Sequence, residues 1–116
     1  MDELQIETNL AILCEGKHSE KSLLPSKSDI KDGLLKLILF SNLLTVSIDE
    51  VVYETRSILS LTSSKLKGRI LSNDTLTLIE AFFSNNRFSI QQKAFLTLLF
   101  EEANINNFII KISGVE

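Results

Sequence analysis

The chain has 116 residues and a formal net charge of −3, with 44% hydrophobic and 23% charged residues. That length suits one folded unit able to bury roughly two-thirds of its unfolded surface, and the content of Leu, Ile and Phe excludes a disordered chain. The single cysteine, Cys14, excludes an internal disulfide, and the acidic balance weighs against a phosphate-backbone binder, which needs clustered Lys and Arg.

Residues 3–14 carry Ile6, Leu10, Leu13 and Cys14 at helical spacings, with Asp2 and Glu3 near the positive end of the helix dipole. The same segment has acids where a secretion leader carries Lys or Arg. No apolar run approaches the ~20 residues that span a bilayer, so the expectation is a cytoplasmic protein without membrane contact. The polar run EGKHSEKS, with Gly16, ends this first helix. Pro25 and Ser26 lead into a second, from Asp29 to Leu44, capped by Ser26 or Ser28. From Leu34 to Leu44 it is apolar nearly all round, which predicts a central helix wrapped by others. A buried strand is the rival reading, and the length favours the helix. Gly33 inside it costs about 1 kcal/mol relative to Ala, so either the helix begins nearby or something packs closely there.

Ser47-Ile-Asp-Glu50 has the form of a capping box. It predicts a third helix running to about Leu61, with Ile48, Val51, Val52, Thr55 and Leu59 on one face. TSSKLKGR reads as a hinge or loop, a fourth helix follows from Asp74 to Phe83, and SNNRF turns the chain. Ser89-Ile-Gln-Gln92 is a second capping box, opening a fifth helix that runs to about Ala103. The tail over 105–113 is read as a short helix ending at Gly114, a natural C-terminal residue. Phe108, Ile110 and Ile112 also fit a strand.

At an offset of 42 residues Leu34 meets Leu76, Phe40 meets Phe82, Ser47 meets Ser89, Ile48 meets Ile90 and Thr55 meets Thr97. The offset lies in the range of helical-hairpin repeats. The expected fold is therefore all-α: a single helical domain over 1–116, a compact bundle of five or six short helices that could be built as two αα-hairpins.

Candidate chemistry is sparse. His18, the sole histidine, falls in a polar stretch without metal-ligand spacing, and a catalytic base needs an orienting partner. Cys14 and His18 are four apart, but Gly16 lies between them, and an apolar-face thiol is usually inert. Gly16-Lys17 lacks the earlier Gly that a phosphate loop requires. Lys65, Lys67 and Arg69 around Gly68 read as a solvated turn. Asn73-Asp-Thr75 matches a glycosylation triplet that has meaning only with secretion.

Carboxylates adjacent on a helix diverge by about 100°, so neither Asp49–Glu50 nor Glu101–Glu102 is preset as an acid–base pair. Asp49 and Glu50 are explained by capping. Glu101 and Glu102 fall near a helix C-terminus, where the dipole disfavours acids, and residues that break a local rule are candidates for function. They form the first candidate acidic patch, and Asp49, Glu50 and Glu54 the second. Tyr53 and Arg56, three apart on the predicted third helix, are of types enriched at interface hot spots, although Tyr53 fits a core position equally well.

These readings describe a small acidic protein-binding domain, not an enzyme, with no cofactor or metal and no nucleic-acid partner expected. The specific expectation is an inhibitor, such as a bacterial or phage immunity protein or antitoxin, that neutralises a basic toxin or nuclease domain. An acidic face would give fast association with such a partner. The alternative is a structural or adaptor subunit, including a homodimeric one.

Overall fold

The structure, a computed structural model, describes residues 3–7, 10–44 and 54–114, and side chains within 12–39 and 56–114. Along these residues the elements run β1 (Glu3–Glu7), β2 (Leu10–Ser19), α1 (Lys27–Leu44), β3 (Glu54–Ser63), β4 (Arg69–Leu71), α2 (Leu76–Asn85), α3 (Ile90–Ile105) and β5 (Phe108–Gly114). The strands form one mixed sheet in the order β1-β2-β3-β5-β4. The fold is α/β, which corrects the all-α bundle expected from periodicity.

Register defines two faces. β2 and β3 are parallel, with Cys14 opposite Ile58 and Glu15 opposite Leu59, and β3 and β5 are parallel, with Leu59 opposite Ile110 and Leu61 opposite Ile112. β1 runs antiparallel to β2, and β4 antiparallel to β5 with Ile70 opposite Ile112. Leu13, Leu59, Leu61, Ile70, Ile110 and Ile112 are buried, whereas their neighbours on the other pleat, Ile12, Ile58, Ile109 and Leu71, are half-exposed. All three helices therefore cover one face and leave the other open. The topology explains this. Parallel connections are right-handed in nearly all cases, and the two here, β2 to β3 and β3 to β5, step in the same direction across the sheet.

Four sequence expectations need correction. The helix predicted over 3–14 is β1 and β2. LAIL is a short continuous apolar run, in which helical spacings arise by accident. EGKHSEKS does not break the segment, since β2 continues to Ser19. The capping box at Ser47–Glu50 lies outside the described residues, but from Glu54 the predicted third helix is β3. There Leu59, Leu61 and Ser63 point to the helices while Ile58, Ser60 and Thr62 point away, a period of two. The tail is β5: Asn106 caps α3, Asn107 takes a left-handed φ of 60°, which Asn tolerates, and the chain leaves extended. Finally, Thr55 lies on β3 while its counterpart in the repeat alignment, Thr97, lies on α3, so the only helical hairpin among the described residues is α2–α3.

Three helices form where expected. Asp29 N donates to Ser26 Oγ at 3.1 Å, making Ser26 the cap of α1, and Ile30, Gly33 and Leu37 form its buried stripe. Ser89 and Gln92 make the reciprocal capping box of α3. No helix among the described residues is long and apolar enough to cross a membrane.

At Gly33 α1 lies close against the sheet. A Cβ there would lie 2.7 Å from Leu59 Cδ1 and 3.3 Å from Glu15 Cγ, so the second of the two sequence explanations for this glycine holds. Gly33→Val is expected to lower stability by about 2 kcal/mol through overpacking, read as the urea midpoint at unchanged slope. Gly33→Ala gains up to ~1 kcal/mol of helix propensity against a smaller clash and should move the midpoint less. An unchanged midpoint for the Val variant would refute the close approach.

Candidate functional site

The helical hairpin carries a wide cleft. Thr75 caps α2, its hydroxyl accepting from Leu78 N, and the turn into α3 uses Arg87 at a φ of 55°. Phe83 stacks edge-on to Phe88 at 5.6 Å and lies 6.3 Å from Phe100. These rings fix the spacing of the two helices. Above them a cleft of about 660 Å³ opens, with Ile79, Phe83 and Phe100 at its base and Asp74, Glu80, Glu101 and Lys93 among its charged lining. Asp74 is held in place because its Oδ2 accepts from Leu71 N at 2.8 Å. Leu76, 70% exposed, stands at the edge. Apolar contact beside three carboxylates and one ammonium suits a cationic segment with an aliphatic anchor. No group of three or more His, Cys, Asp or Glu among the described residues is placed to hold a metal.

Of the residues singled out from sequence, Glu101 lines this cleft. Glu102 is not among its lining residues; it is bound at the end of α3, where Asn106 Nδ2 donates to its carbonyl oxygen at 2.9 Å and to Oε2 at 3.2 Å. Asp49, Glu50 and Tyr53 lie outside the described residues. Glu54 begins β3 opposite Leu10, and Arg56 is exposed on the open sheet face opposite Ile12. Arg56 therefore does not join Glu101. Sequence reasoning missed Asp74 and Glu80. No short-range pattern links them to Glu101, because only the packing of α2 on α3 brings them together.

A second polar cluster ties α1 to β2. Glu15 is buried, with Oε1 3.8 Å from Lys17 Nζ and 3.7 Å from Lys36 Nζ. Asp32 Oδ2 lies 2.9 Å from Lys17 and 3.3 Å from Lys36. The hydrogen bonds from Lys17 and then Lys36 hold the Asp32 carboxyl below its ordinary value, and the bond to Asp32 raises Lys17. His18 is not a loop residue: it ends the open face of β2, with Nδ1 2.7 Å from Thr62 Oγ1 and Nε2 3.0 Å from Glu20 Oε1. Hydrogen bonds from Ser64 and then His18 lower Glu20. Cys14 and His18 share the open face but are four strand residues apart, about 13 Å, so they do not form a thiol–imidazole pair.

The chain matches no family model, no curated protein and no solved structure.

The Asp32 cluster should be visible in acid. A carboxyl with a depressed native pKa contributes stability that is complete above its unfolded-state value and lost as pH falls through the native value. Between about pH 5 and pH 3, wild type should lose stability more steeply than Asp32→Asn in chemical denaturation. Lys17 acts at the other end: its contribution is present below the ordinary lysine value and lost as pH rises through the raised native one. Parallel acid profiles for the two proteins would show that Asp32 is not engaged.

Proposed function

We propose that the chain is a non-catalytic protein-binding domain whose α2–α3 cleft takes a basic, aliphatic-anchored segment of a partner, as an inhibitor of a basic toxin or nuclease domain would. The observation that carries this reading is the convergence of Asp74, Glu80 and Glu101 beside a base formed by Ile79, Phe83 and Phe100. Hydrophobic contact would supply affinity, and the excess of negative charge would raise the association rate. An exposed apolar stripe on α1, formed by Leu35, Ile38 and Leu39, favours a second reading, that of an adaptor or homodimeric subunit.

The two readings differ in their response to salt. A photo-crosslinking residue at position 101 should capture a partner in the source cell that the same residue at position 56 does not. Association of that purified partner should slow at least tenfold between about 50 mM and 500 mM salt, given the ~10 Å screening length at 0.1 M. The double variant Glu80→Lys, Glu101→Lys should reduce the rate further. A salt-independent rate that is unaffected by this variant but lost in Ile38→Glu would sink the cleft reading and support the adaptor.

A further inference from the structure

Lys67, Arg69 and Lys111 converge at the β4–β5 edge of the sheet. Arg69 faces Ser113 across the ladder and Lys111 faces Leu71. The two cations are therefore diagonal neighbours on the open face, about 7–8 Å apart at the backbone. With Lys67, Gly68 and Ser113 they line a pocket of about 520 Å³, and no carboxylate is among its described lining residues. Among the described residues none of the three cations forms an ion pair, whereas Lys17 and Lys36 do. A protein with a net charge of −3 thus gathers three positive charges in one concavity that holds no carboxylate among the described residues. Lys65 is not part of it: its backbone N–H donates to Ser63 Oγ, and its side chain is outside the lining.

The loop that presents these groups is held from both sides. Asn86, buried at the end of α2, accepts from Lys67 N at 2.7 Å and donates to Lys67 O at 3.0 Å. On the other side Gly114 N donates to Gly68 O at 3.0 Å. A Cβ on Gly114 would collide with Leu66 O. Gly68 itself has a φ of 78°, which allows the chain to turn between Lys67 and Arg69 without strain. A flexible cationic turn would keep its charges apart in water. This one fixes their backbone positions close together, an arrangement that an anion stabilises.

The geometry points to a binding site for a phosphate-bearing small molecule, with Arg69 offering a planar pair of donors, Lys67 and Lys111 point charges, and Ser113 a hydroxyl. Arg and Lys recognise phosphate in these complementary ways. The volume lies within the range of small-molecule sites and leaves room for an organic group beside the phosphate.

Inorganic pyrophosphate, titrated calorimetrically into the full chain at low ionic strength, is the probe. Wild type should bind it with one-to-one stoichiometry. Arg69→Gln and Lys111→Gln should each weaken binding about tenfold, as expected for loss of a charge-assisted hydrogen bond. Gly114→Ala should weaken it without removing any charge, because it displaces the loop at Leu66. Lys65→Gln, outside the pocket, should leave binding unchanged, and circular dichroism checks that each variant is folded. An oligothymidylate is the second probe. Binding of the oligonucleotide without binding of pyrophosphate would overturn the proposal in favour of an extended polyanion surface. Absence of any pyrophosphate binding would overturn it, and so would undiminished binding by the double variant Arg69→Gln, Lys111→Gln.

Discussion

The helical layer depends on how closely α1 can approach β2 and β3, and that distance is set by the missing side chain at Gly33. With no Cβ in the way, the helix settles onto Leu59 and the stem of Glu15. That brings Asp32 and Lys36, one turn apart, over Lys17 and the buried Glu15 carboxylate. The ion cluster follows from the close packing and reinforces it, because each lysine is shared between a buried acid and an exposed one. A pair with one buried carboxylate is costly to break once formed. The cluster therefore fixes the rotation of α1 on the sheet more firmly than leucine contacts, which tolerate repacking.

Buried polar side chains play the same part on the other half of the molecule. Ser72 extends the pairing of β4 with β5: its N–H donates to Ile110 O at 2.8 Å, and its hydroxyl accepts from Ile110 N at 2.9 Å. Asn86 ties the end of α2 to the loop before β4, and Ser63 Oγ binds Ser22 O, joining β3 to the chain ahead of α1. These groups meet the demand that buried donors and acceptors be paired. In doing so they help position two concavities, the acidic one between α2 and α3 and the basic one at the sheet edge. The charge of −3 conceals this division, because opposite charges gathered in separate places largely cancel in the sum.

Helices α1, α2 and α3 were legible because their signals are local. Ser26 and Ser89 cap α1 and α3, and the Ser89–Gln92 box reads directly from the sequence. The strands were not, for reasons that differ between them. β2 opens on LAIL, apolar on both pleats, and continues with Glu15, Lys17 and His18 spread over both, so it shows no alternation. β3 does alternate, in SILSLTSS, but a capping box just upstream and chance matches to a helical repeat outweighed it. β5 fits helix and strand patterns alike, because Ile109 on the open face is as apolar as Ile110 on the covered one. Of the site residues, Glu101 stood out through its unfavourable place near a helix end. Its companions Asp74 and Glu80, and the association of Lys111 with Lys67 and Arg69, depend on contacts between distant segments that no window of sequence contains.

The position of β5 bears on how the molecule assembles. This strand, the last element of the described chain, inserts between β3 and β4, so until it is available one edge of β3 lacks its neighbour and β4 has nothing to pair with. Local events can complete the helical hairpin early, but closing the sheet awaits contacts some fifty residues apart along the chain (Ser57 with Phe108, for example). Long-range pairing of this kind slows folding and leaves unpaired strand edges exposed in the meantime. A nascent chain on the ribosome would carry that vulnerable edge until β5 cleared the exit tunnel.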